Sequence, residues 1–103
     1  MEGTDMPIST ASIATPHGSR YLQQLCKHWS HRYAVTFDPA QGMIDFGGGK
    51  SARLSADAAM LRVQVTCPDP AALSGLFDVV ESHILRFAFR EELQFDWQVD
   101  LTV

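Results

Sequence analysis

A two-layer α+β sandwich, an antiparallel sheet with two helices on one of its faces, is what these 103 residues predict. Three observations carry that expectation. The hydrophobic period is helical in two stretches and close to two in most of the others. Four consecutive strand-like runs are joined by turns short enough to force antiparallel neighbours. Each helix has one apolar stripe, and both stripes need the same kind of surface to bury against. The predicted order is β-α-β-β-β-β-α-β, with residues 1–6 as a polar tail and 7–103 as one domain.

Taken in order, Ile8–Ala14 (ISTASIA) is weakly alternating and reads as a first strand. Thr15-Pro16 offers a cap followed by proline, so a helix is expected from there to about His31, with Leu22, Leu25, Cys26 and Trp29 on its apolar face. Ala34–Asp38 and Met43–Phe46 follow as strands around a turn at Asp38-Pro39-Ala40-Gln41-Gly42. Gly47-Gly48-Gly49-Lys50 is the next turn. Ser51–Ala56 and Met60–Cys67 form a hairpin around Asp57-Ala58-Ala59, with Leu61, Val63, Val65 and Cys67 on one side and Arg62, Gln64 and Thr66 on the other. Asp69-Pro70 then opens the strongest helix, whose Leu73, Leu76, Phe77, Val80, Ile84 and Phe87 form one stripe. Beyond it, Leu93, Phe95, Trp97, Val99 and Leu101 alternate with Gln94, Asp96, Gln98 and Asp100, which predicts a final strand with one wet face. This arrangement resembles that of TATA-binding-protein-like and related folds, a likeness of fold that carries no function.

Composition narrows the function classes. A chain 46% hydrophobic and 19% charged can build a core without staples. A net charge of −4 speaks against a general phosphate-binding surface, so no nucleic-acid partner is expected. No apolar run approaches the roughly 20 residues of a membrane span. MEGTDMPIST lacks a basic patch followed by an apolar core, so no secretory leader is expected. Two cysteines, Cys26 and Cys67, fit reduced thiols and a cytoplasmic location better than a disulfide framework.

Histidine placement is the most suggestive chemistry. Cys26, His28 and His31 lie in CKHWSH, and His83 lies in ESHIL; imidazole and thiolate are good transition-metal ligands. On a regular helix Cys26 faces the core, His28 the flank and His31 nearly the opposite side, so the three cannot share an ion. His28 and His31 are one turn apart, and His83 joins them if the helices pack side by side. A metal set of His28, His31 and His83 is the sharp reading; a small core thiol with hydrogen-bonded and surface histidines is the bland one, and no tight CxxC or HExxH pattern opposes it. Arg86 and Arg90 share a helix face and could grip a carboxylate or phosphate, against the plainer reading of helix-end electrostatics. FGGGKS joins two strands and lacks phosphate-loop spacing, so it reads as a hairpin turn. An enzyme finds little support: no G-x-S-x-G elbow is present, and a Cys26–His83 pair across the helices is the sole nucleophile-and-base candidate.

The stretches ATPHGSRYLQQLCKHWSH, VTFDPAQGMIDFGGG and VVESHILRFAFREELQFDW together resemble the bacterial domain-of-unknown-function family 2218, over roughly residues 8–97. The positions that carry the resemblance are Arg20, Tyr21, Cys26, His28, His31, His83, Arg86, Arg90, Glu91 and Trp97. It implies an association with ferric-siderophore handling and a siderophore-interacting flavoprotein as partner, and it supplies no mechanism. The resulting expectation is a non-catalytic accessory domain that binds its ligand through Tyr21, His28, His83, Arg86 and Arg90 on the flank between the helices, with a transition metal as the cofactor those histidines would hold. The competing expectation is an interaction module that forms a homodimer through its final strand. A small Cys/His enzyme is the third.

Overall fold

The computed structural model describes residues 7–100, so the tail expected over Met1–Met6 and the strand position of Leu101 lie outside the described residues. The chain runs β1 (Ile8–Ala14), α1 (Gly18–Trp29), β2 (Ala34–Phe37), β3 (Gln41–Gly47), β4 (Lys50–Ala56), β5 (Met60–Thr66), α2 (Pro70–Phe87) and β6 (Gln98–Asp100). These are the predicted elements in the predicted order. They form one antiparallel six-stranded sheet in the order β2-β3-β4-β5-β1-β6, with both helices on one face.

Strand alternation decides which side chains meet the helices. Ala11 and Ile13 of β1, Ile44 of β3, Ala52 and Leu54 of β4, and Leu61, Val63 and Val65 of β5 are buried. They pack beneath Leu22, Leu25, Cys26 and Trp29 of α1 and Leu73, Val80 and Ile84 of α2. Alternate residues stand on the open face and line up in register. One row crosses the whole sheet as Thr36, Met43, Arg53, Gln64, Thr10 and Gln98.

Local chemistry explains the ends of the elements. Asp69 caps α2, its carboxylate accepting from the Ala71 amide at 2.9 Å, with Pro70 at the first helical position. Gly47, Gly48 and Gly49 all take positive φ (87°, 64° and 83°), which is why three glycines sit between β3 and β4. Gly42 serves a different need: a Cβ there would lie 2.7 Å from Cys26 Sγ, so its bare backbone lets α1 settle on β3.

Two expectations need correction. The first helix begins at Gly18, after the Thr15-Pro16 pair, and His17 at its N-cap makes no side-chain capping bond. The Thr15 hydroxyl accepts from the His17 amide at 3.1 Å but donates to a carboxylate far along the chain, while its own amide donates to Ala59 and prolongs the sheet. The final strand is also shorter than its alternation suggested. Leu93 is buried and Phe95 and Trp97 are half-buried, as their spacing predicts, yet ladder pairing starts only at Gln98. Trp97 turns to α2 instead, stacking on Phe77 (ring centroids 4.7 Å apart) and donating from Nε1 to Glu81 at 2.8 Å.

Candidate functional site

The flank between the helices is built from residues one turn apart. Arg20, Gln24 and His28 recur every fourth position of α1, with Tyr21 beside them; α2 answers with His83 and Phe87, which lie four apart. The His28 and His83 rings meet, their centroids 5.5 Å apart. His83 also lies 4.8 Å from the Trp29 ring, and His28 lies 6.2 Å from Phe87. His83 Nδ1 is 2.8 Å from the Val79 carbonyl oxygen. A carbonyl only accepts, so Nδ1 donates this hydrogen bond and Nε2 is the ring nitrogen not engaged by it.

Past Phe87 the groove deepens into a cleft of about 290 Å³ lined by Arg20, Tyr21, Gln24, Phe87, Phe89 and Arg90. The turn that ends α2 supplies its far wall. Phe89 is 76% exposed, with the Arg90 guanidinium 5.3 Å from the centre of its ring.

A polar cluster closes the same end from below. The Glu91 carboxylate accepts from Thr15 Oγ1 at 2.9 Å and from the Tyr21 hydroxyl, and His17 Nδ1 lies 3.3 Å away. Three separate elements thus converge on one side chain: the end of β1, the start of α1 and the segment after α2. The Tyr21 hydrogen bond, assisted by Thr15, His17 and Arg20, holds the Glu91 carboxyl below the usual carboxylate range against the opposing effect of burial. Burial, then the bond to Glu91, pushes the Tyr21 hydroxyl up to about 12, so it remains a donor at neutral pH.

The sequence-predicted residues separate on this map. His28 and His83 come together, and Tyr21 and Arg90 share the cleft. Tyr21 is a buried residue of the wall, since the segment after α2 covers it and Glu91 takes its hydroxyl. Arg86 is exposed on the last turn of α2 and does not line the cleft. His31 lies exposed in the turn beyond α1, because the helix stops at Trp29. Among the described residues no three His, Cys, Asp or Glu side chains gather where an ion could sit, so the set His28, His31 and His83 is not assembled. Two imidazoles are too few for a protein-only metal centre. Cys26 is fully buried and its thiol is pushed up to about 11, which leaves little thiolate for nucleophilic attack. His17 and Gln24 carry no signal in the sequence, and Thr15 reads there only as a helix cap. Glu91 and Arg20 stand only among the residues carrying the family likeness.

An open-faced antiparallel sheet carrying two helices, with an aromatic and basic cleft between them, defines a small α+β domain. The chain belongs to a bacterial family described as "Uncharacterized protein conserved in bacteria (DUF2218)", whose model matches residues 10–98. It is similar to the NMR structure of PA4090 from Pseudomonas aeruginosa, with a TM-score of 0.76 and 35% sequence identity over 90% of this chain and 96% of that one. None of the curated proteins matches the chain.

Proposed function

We propose that the chain is a non-catalytic binding domain in bacterial iron handling, which takes an anionic aromatic group of the catecholate class in the groove between α1 and α2. The observation that carries this reading is the cleft in which Arg20 and Arg90 stand beside Tyr21, Phe87 and Phe89. Guanidinium forks suit paired anionic oxygens, and ring faces suit an aromatic body. At about 290 Å³ the cleft lies at the small end of ligand sites and accepts one substituted ring. The remainder of a larger ferric complex would run along the groove toward His28 and His83, which offer imidazole hydrogen bonds. The iron context comes from the family resemblance, and a siderophore-interacting flavoprotein is the partner it implies.

The test is thermal unfolding with 2,3-dihydroxybenzoate, with and without ferric iron. At ten times Kd a ligand specific for the folded state stabilises by about 1.4 kcal/mol, which raises Tm by roughly 6–11 °C in a domain of this size. The shift should vanish in an Arg20→Ala/Arg90→Ala variant and shrink in His28→Ala/His83→Ala. No shift at millimolar catecholate, with or without iron, overturns the reading.

A further inference from the structure

A second concavity lies on the other side of the sheet, far from the helices: a trough of about 730 Å³ over the middle strands. Register places Arg53 of β4 opposite Gln64, and Arg62 of β5 opposite Ser55. The two arginines are therefore diagonal neighbours on the central pair of strands, with backbones about 7–8 Å apart. Both belong to the open face, because the residues that flank them in sequence (Ala52, Leu54, Leu61 and Val63) are buried under the helices. Neither guanidinium forms an ion pair or hydrogen bond among the described residues. The acidic residue at the trough's rim, Asp38, has its carboxylate turned onto the Ala40 and Gln41 amides, both at 2.8 Å. Like charges this close on one sheet face repel. A chain of net charge −4 nonetheless places two cations side by side in this hollow.

The surrounding chemistry narrows the ligand. Thr10, Ser55 and Gln64 border the arginines with hydroxyl and carboxamide groups, and Met43 is the apolar side chain on the row of Arg53. This surface offers hydrogen bonds to a hydroxyl-rich body, and its one aromatic lining residue, Phe37, sits on the edge strand opposite the buried Gly42, out of the alternation that carries Arg53, so it gives no run of rings for stacking successive bases. A second copy docked face to face would set arginines against arginines across a two-fold axis. We infer that the trough binds a phosphorylated sugar or polyol: the dianionic phosphate bridges the guanidiniums of Arg53 and Arg62, and the ligand hydroxyls exchange hydrogen bonds with Thr10, Ser55 and Gln64. The site shares no lining residue with the cleft between the helices, so either can fail alone.

The experiment is an amide ¹H–¹⁵N titration of the whole chain with glucose 6-phosphate, glucose and inorganic phosphate at constant ionic strength. Glucose 6-phosphate should shift amides of β4 and β5 saturably, more tightly than either fragment. Affinity should fall at least tenfold in Arg53→Gln/Arg62→Gln and also drop in Arg53→Lys/Arg62→Lys, which keeps the charge and removes the fork. It should be unchanged in Arg20→Gln/Arg90→Gln. Shifts confined to α1 and α2, equal affinity in the Arg53→Gln/Arg62→Gln variant, or inorganic phosphate binding as tightly as the sugar phosphate would each overturn the inference. Tighter binding of a single-stranded oligonucleotide at β4 and β5 would overturn it too.

Discussion

Replacing Glu91 by alanine removes the one acceptor on which Thr15 and Tyr21 both depend. Thr15 and Tyr21 are 2% and 4% exposed, so their hydroxyls have little access to water once the carboxylate is gone. An orphaned buried hydroxyl costs about 1–3 kcal/mol. Thr15 keeps its bond from the His17 amide, and the Glu91 side chain is 23% exposed, so water can enter from that side. The expected loss is therefore at the lower end for two groups, about 2–4 kcal/mol. Urea unfolding at pH 7 measures it, and a double-mutant cycle with Tyr21→Phe isolates the Tyr21–Glu91 share. The same cycle at lower pH tests the charge. Because the folded-state carboxyl is held below its unfolded value, its stabilisation is complete above an unfolded pKa of about 4.3 and is lost as pH falls through the folded value. The gap between wild type and Glu91→Gln should thus be widest at neutral pH and close in acid. A Glu91→Ala variant within about 0.5 kcal/mol of wild type, the range of ordinary surface substitutions, would refute the reasoning.

Two further outcomes follow from the packing of α1 on β3. Gly42→Ala would place its Cβ 2.7 Å from Cys26 Sγ, and overpacking of this kind costs about 1–3 kcal/mol; the loss measured by urea unfolding should shrink in a Cys26→Ala background, and an undiminished loss would exclude the sulfur as its cause. Cys26, with its thiol pushed up to about 11 by burial, should resist iodoacetamide at pH 7.5 in the folded protein and react in urea. Peptide mapping that finds rapid native alkylation at Cys26 would return it to the list of possible nucleophiles.

The helices and hairpins were legible because their signals are local. Asp69-Pro70 and the three glycines each act within a few residues, and apolar period reports which side of an element is dry. That is also why the final strand was over-read. Leu93, Phe95 and Trp97 alternate because they are alternately buried, and burial does not require a ladder partner; Trp97 finds Phe77 and Glu81 on α2. The meeting of His28 and His83 followed from two helix flanks and could be anticipated as a condition. The Glu91 cluster could not, since Thr15, His17 and Tyr21 reach it across most of the chain and short polar side chains leave no periodic trace. Arg62 reads from its strand's alternation as an ordinary outward position, and only the register of β4 on β5 makes Arg53 its neighbour.

The place of β1 between β5 and β6 has a consequence for the birth of the molecule. During synthesis this strand emerges before either of its ladder partners exists. The β2–β5 meander can zip through successive hairpins, each closing a short loop. It then presents the open edge of β5, and β1 must return from the far end of α1 to fill it. Only after that does β6 acquire an edge to join. An early-made segment is in effect the keystone, and a chain cut short before α2 would hold β1 with one side still unpaired, an invitation to pair with a neighbour on the same polysome.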